Sequence, residues 1–270
     1  MRRPSAQRLW LLAAATSAVT LLACGWITTW SRDHHYEMKS GHAGAPGIHR
    51  ILLLPADVVF DAEPHPLLER SDQVTEEIDV YLNDHGIRTD RADPELARLL
   101  WRRTANDLRP GSGGDPDWGE VVQTYALHLG DRYSFDAFIV PTLMYREITL
   151  DHQRAVFDGV VRKVHVEEDT WYRLHTVPER SKIGALSLHV IVYDRDGGEL
   201  YHGVGGLDLI HEIFYSKRAQ RWLRRSRDDV FSNPKHLRHG IGVALEPYLD
   251  WEGVAEATDL HATQAGSQSP

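Results

Sequence analysis

Cys24 is the only cysteine in the 270 residues, and a cysteine thiolate is a strong nucleophile. It follows the small residue Ala23 within an uncharged stretch that starts at Leu9. The chain begins basic, through Arg2, Arg3 and Arg8, and the stretch after them is mostly apolar. A basic start, a short apolar region and a small residue before a cut describe an export signal, here cleaved between Ala23 and Cys24. That placement makes Cys24 a candidate for processing and modification. No second cysteine exists, so a disulfide within one chain is impossible.

The densest cationic cluster lies near the other end. Lys217, Arg218, Arg221, Arg224, Arg225 and Arg227 crowd one segment, interleaved with Phe214, Tyr215, Trp222 and Leu223. The pattern predicts a basic amphipathic helix or loop touching anionic lipid headgroups, peptidoglycan carboxylates or an acidic partner. A solvated insert balanced by Asp228 and Asp229 is the alternative. Sixteen histidines raise metal binding. The groupings are His34 and His35 with His42, and His236 with His239, which can share one helix face. Without an HExxH or Cys–His framework they read as surface histidines, and no metal is expected. Gly197 and Gly198 read as a turn, and residues 203–206 as a bulge or close strand approach, because neither matches GxGxxG or a P-loop. There is no GxSxG, and Ser187 sits mid-strand, so no catalytic residue is assigned. Asp57, Asp61 and Glu63 follow the first strand, the edge where α/β sheets take ligands. A solvated loop explains them about as well.

The tetrad Leu21-Leu22-Ala23-Cys24 resembles the lipobox of bacterial lipoproteins. The resemblance implies a thioether-linked lipid on Cys24, the sole covalent group expected and the only cofactor-like one. That lipid is a diacylglycerol, and acylation of the new amino terminus is implied too; two or more chains hold a protein stably where one does not. Gly25, in place of the aspartate that favours inner-membrane retention in that family, implies the outer membrane, facing the periplasm. A plain transmembrane anchor stays open: residues 9–30 carry no charge and are long enough to span a bilayer. Trp10, Trp26 and Trp30 would then be interfacial, with the basic end inside.

Loss of Arg2, Arg3 and Arg8 with the signal, and of no acid, takes the formal charge from −9 to −12. That balance excludes nucleic acid as the main partner. Residues 24–47 read as the modified cysteine and a flexible tether, about 23 residues with a reach of roughly 25 Å. Residues 252–270 read as a disordered tail. Between them, residues 48–251 make one domain.

Its elements follow from periodicity. Ile51-Leu52-Leu53-Leu54-Pro55 predicts a strand buried on both faces. A helix with Val74, Ile78, Tyr81 and Leu82 on one side stops at His85-Gly86. Residues 87–91 predict a short strand. Asp93-Pro94 opens a helix through Leu96, Leu99 and Leu100, and residues 118–129 predict another. Residues 135–141 predict a buried strand and residues 155–166 one long strand. Residues 185–193 alternate, with Leu186, Leu188, Val190 and Val192 on one face, and return through a hairpin at Asp196-Gly197-Gly198. Asn233-Pro234 opens a last helix with Leu237, Ile241, Ala244 and Leu245 inward. The expected fold is α/β (α+β): a mixed sheet, helices packed on it, and a late antiparallel hairpin.

The strand Leu52-Leu53-Leu54-Pro55, the segment Asp136-Ala137-Phe138-Ile139-Val140-Pro141 and the closing hairpin resemble a lipoprotein group. It includes the curli-secretion lipoproteins, the lipoprotein activator of a penicillin-binding protein, and the amino-terminal domain of TolB. The resemblance implies a non-enzymatic binding or assembly factor with an envelope protein partner. The alternatives are an envelope hydrolase whose site is assembled from distant residues, and a structural lipoprotein bracing outer membrane and cell wall.

Overall fold

A computed structural model describes residues 36–38, 48–59, 70–110, 114–151, 153–166 and 181–249. Ala23 and Cys24, His34, His35 and His42, Asp61 and Glu63, and residues 252–270 lie outside the described residues.

The run Ile51-Leu52-Leu53-Leu54 is apolar throughout because its strand is covered on both sides. Strand β2 (Arg50–Leu53) lies between β4 (Arg88–Arg91) and β5 (Ala137–Asp151), parallel to both. Strand β5 continues beyond β2, where β3 (Asp57–Val59) pairs with it in parallel. On its other edge β5 pairs antiparallel with β8 (Lys182–Asp194), which pairs antiparallel with β9 (Glu199–Leu209). At the edge beyond β9 lies β1 (Tyr36–Met38), so the order is β1-β9-β8-β5-β2-β4. Thus Tyr36–Met38, within the segment read as a tether, is an edge strand against β9.

Helices α1 (Ser71–Asp84) and α4 (Pro234–Leu249) cover one face, enclosing Ile51, Leu53, Ile139, Leu186, Leu188, Val190 and Val192. Helices α2 (Pro94–Asp107) and α3 (Trp118–Gly130) cover part of the other, over Leu52, Leu54 and Phe138. Each fully buried Leu or Ile contributes roughly 2 kcal/mol. The helix boundaries form as their residues dictate. Gly86 takes φ 79° after α1. Asp93 Oδ1 accepts from Leu96 N at 2.8 Å, and Asp117 Oδ1 from Gly119 N at 2.9 Å; such caps contribute about 1 kcal/mol each. The Asp136 carboxylate accepts the backbone N–H groups of His49 and Arg50, each at 2.9 Å, tying the start of β2 to β5.

Helix α4 sits unusually close to β9. A Cβ on Gly205 would lie 1.9 Å from the Gly240 carbonyl oxygen, and one on Gly203 would lie 2.2 Å from that of Ala244. The Tyr201 hydroxyl donates to the same Ala244 carbonyl at 2.6 Å. Gly203 and Gly205 therefore serve a helix-on-strand approach, while Gly206 meets the expectation of a close strand approach or bulge: its Cβ would lie 2.4 Å from Val160 Cγ2, and the β8–β9 register shifts beside it.

Two further expectations are corrected. Residues 155–166 are not one strand but a hairpin, β6 (Arg154–Phe157) and β7 (Val160–Lys163). Asp158 and Gly159 turn it at φ 40° and 76°, the paired positive φ of a type I′ turn. The basic segment is not a helix, and only Lys217 and Arg218 lie in a turn, at residues 217–220. It forms a second hairpin, β10 (His211–Ser216) and β11 (Arg221–Ser226). Both hairpins close over the far ends of β5 and β8, around Leu150, Phe157, Val160, Ile183, Leu209 and Ile213. The described residues thus form one α+β domain: a mixed sheet, helices on both faces, and late antiparallel hairpins.

Candidate functional site

Alternation along β10 and β11 divides the basic segment. Ile213, Tyr215 and Trp222 share the inward face; Ile213 is buried, and Tyr215 meets Trp222 edge-on at 5.6 Å. Trp222 therefore packs on the distal core. On the opposite face Glu212 stands across from Arg225, Phe214 from Leu223, and Ser216 from Arg221.

The cations fall into two groups. Arg224 Nη1 lies 3.7 Å from Glu147 Oε2. The Glu147 carboxyl is lowered, first by its hydrogen bond from Lys182 and then by the Lys182 and Arg224 charges. Arg225 pairs with Glu212, and its guanidinium sits 5.3 Å from the centre of the Phe214 ring. Arg227 bridges Asp208 at 3.1 Å and Asp229 at 2.8 Å. Arg224 and Arg227 hold the hairpin to the body, and Arg225 joins its two strands. Lys217, Arg218 and Arg221, at the tip, are exposed and make no ion pair with any described residue. Of the acids expected to balance the segment, Asp229 is taken by Arg227, while the Asp228 carbonyl accepts from Arg70 at 2.5 Å.

The pair His236 and His239 sits in the first turns of α4 beside a buried cation. Arg162 is 3% exposed. It donates to the carbonyls of Leu207 at 3.0 Å, Gly206 at 3.2 Å and His236 at 2.8 Å, and its Nη1 lies 3.4 Å from His239 Nδ1. Burial, then the Arg162 charge, lowers the His236 imidazole. A metal ion there would have to share the space with a guanidinium. Among the described residues, no group of three His, Cys, Asp or Glu side chains is placed to hold a metal. Asp208, also 3% exposed, accepts from Phe231 N at 3.0 Å. These contacts tie β7, β9 and α4 together. Ser187 is fully buried, and its hydroxyl donates to the Asp158 carboxylate, which Arg146 also approaches at 3.3 Å. A serine so held is a structural link between β8 and the β6–β7 hairpin.

The structure also forms a site with no counterpart in the sequence reading. A cleft of about 550 Å³ opens between α2, α3 and the sheet. Tyr125 and Phe138, both buried, make its floor and meet edge-on at 6.4 Å. The Tyr125 ring is also edge-on to Trp101 at 5.2 Å, and its hydroxyl donates to the Ala97 carbonyl at 3.1 Å. Trp101 stacks on Trp118 at 6.1 Å, and Tyr193 stacks on Phe138 at 5.1 Å. Leu54, Pro55, Val122 and Val140 complete the apolar walls; Arg98, Arg102 and Thr142 add polar groups. Burial, then the nearby Glu199 carboxylate, pushes the Tyr193 phenol up to about 12, so it stays a neutral hydroxyl. The inward stripe of α2 is Ala97, Trp101 and Thr104, with Leu100 packed beside it, while Leu99 is 56% exposed. Thr104 Oγ1 meets His128 Nδ1 at 3.0 Å, joining α2 to α3.

No family model and no curated protein matches the chain. Among solved structures it is distantly similar to the dodecamer of a single-residue variant of PelC from Paraburkholderia phytofirmans. The identity is 10%, with 79% of this chain and 96% of that chain covered and a TM-score of 0.34. It is also distantly similar to a neuraminyllactose-binding hemagglutinin homolog from Helicobacter pylori. There the identity is 6%, with 82% and 99% covered and a TM-score of 0.34.

Proposed function

We propose that this chain is a bacterial outer-membrane lipoprotein, held by lipid on Cys24, whose periplasmic domain is a non-enzymatic binding or assembly factor of the cell envelope. The pattern of Arg2, Arg3 and Arg8, the uncharged run and Ala23-Cys24 supports the anchor. The resemblance to the curli-secretion, penicillin-binding-protein activator and TolB group supports the role. The observation that carries it furthest is the tip of the β10–β11 hairpin. In a chain of formal charge −9, Lys217, Arg218 and Arg221 project without a carboxylate among the described residues. Their function is contact with an anionic envelope surface, lipid headgroups or peptidoglycan. Each cation near an anionic membrane contributes about 1 kcal/mol, so three together suffice for a secondary attachment that adds to the lipid.

Two measurements test this. The mass of the mature amino terminus should correspond to an acylated peptide starting at Cys24; an intact Met1 or Arg2 terminus would leave a transmembrane anchor. The unlipidated chain should sediment with anionic vesicles or sacculi, less at high salt. Reversing Lys217, Arg218 and Arg221 to Glu should abolish sedimentation. Equal sedimentation of both chains with both materials would defeat the surface role.

A further inference from the structure

We propose that the cleft under α2 and α3 is a binding site for a small amphipathic anion: a planar apolar ring carrying one carboxylate. This stands apart from the surface role of the hairpin and does not depend on it.

Topology puts the cleft where an α/β sheet opens. After β2 the chain adds β3 to the same sheet and later forms α1 on one face, whereas it leaves the adjacent β4 for α2 on the other. Between such strands the connections diverge and leave a crevice at the strand carboxyl ends. The cleft is lined there by Leu54 and Pro55, just after β2, and by Ala97 and Arg98 in the first turns of α2. Its volume of about 550 Å³ lies within the range of small-molecule sites.

The lining chooses the ligand. Its floor rings are fixed by packing and, for Tyr125, by the 3.1 Å bond to Ala97, so a flat apolar body meets preorganised surfaces at little entropic cost. Every charged side chain in the lining is an arginine, and no carboxylate among the described residues lines it. Arg98 is paired with Glu95 at 3.3 Å. Arg102 has only a weak bond from Nε to the Arg98 carbonyl, 3.3 Å, and no carboxylate among the described residues. Its remaining N–H groups stand at the mouth of an apolar cleft in an acidic protein, an arrangement that favours an anion with a hydrophobic body. A guanidinium presents parallel donors that match a carboxylate.

The test titrates the full chain with three near-isosteric probes by calorimetry: 1-naphthoate, 1-naphthamide and 1-naphthylmethylamine. Naphthoate should bind tightest and the amine weakest. Arg102→Gln, at an exposed position that leaves the fold intact, should weaken naphthoate about tenfold and leave naphthamide unchanged. Trp101→Phe, which keeps an aromatic ring, should retain the preference for naphthoate. The chain with Lys217, Arg218 and Arg221 reversed to Glu should bind naphthoate as the parent does. Equal affinity for naphthoate and naphthamide overturns the proposal. So does no binding of naphthoate, or a loss caused by the hairpin reversal and not by Arg102→Gln.

Discussion

The aromatic cleft and the basic hairpin use the same residue types on opposite terms. In the cleft, rings are structural first: Phe138 and Tyr125 belong to the core that seals α2 and α3 onto the sheet, and arginine sits at the rim. In the hairpin, the rings of Tyr215 and Trp222 pin the strands to the distal core, while arginine and lysine occupy the free end. A site built into the core is preorganised, but any change to it is felt by the whole domain. A site at a hairpin tip can change its chemistry almost freely, because little packing depends on it.

Phe138→Ala should break that contrast most severely. It removes a fully buried ring shared by the cleft floor and the core, and should cost about 4 kcal/mol, read from urea unfolding. A loss below about 1 kcal/mol would mean the floor is not part of the core. Gly205→Ala strikes the α4–β9 contact, which neither region owns, and should cost about 3 kcal/mol in the same measurement. If cleft affinity survives in the folded fraction, the cleft is separable from the helical face opposite.

His189 lies on the strand face between the two regions, its ring 6.1 Å from that of His202. Burial, then the His202 and Arg146 charges, brings its imidazole from 6.5 down to about 4, with Glu199 and Asp158 opposing. Above pH 6.5 the folded and unfolded chains are both neutral at this residue, and its contribution is complete. Between pH 6.5 and 4 the unfolded chain binds a proton that the folded chain refuses, so stability falls as pH falls. The loss is about 2 kcal/mol, allowing for partial exposure of the ring. His189→Asn should flatten the fall of the melting midpoint over that range; an unchanged slope would assign it to other groups.

The smallest effect belongs to the hairpin tip. Reversing Lys217, Arg218 and Arg221 to Glu should change unfolding free energy by less than about 0.5 kcal/mol. A larger change would mean the tip is structural after all.

Much of the frame was legible because its signals are local. The apolar run at 51–54, the Asp93-Pro94 opening, the Gly86 stop and the alternation at 185–193 each follow from neighbours within a turn or a strand. Other features needed distant partners. The helix through Leu96, Leu99 and Leu100 forms, but which of its faces is inward follows only from packing: it turns Ala97 and Trp101 against Tyr125 and leaves Leu99 exposed. Asp158-Gly159 carries a hairpin signal that strong strand patterning on both sides concealed. The basic segment was recognised by composition, but its roles were not. Which cation is committed depends on Glu147, Glu212 and Asp208, and Glu147 lies far away in the sequence.

The sequence by itself determined the helices and the central strands, the two-sided burial of β2, and the location of the unusual charge. Hydrophobic period and capping act over a few residues, and residue types alone express them. Tertiary structure decided which arginines are left at a tip. It also brought Trp101, Tyr125, Phe138 and Tyr193 from two helices and two strands into one cleft. Those outcomes depend on contacts between residues far apart in the chain, which no local pattern encodes.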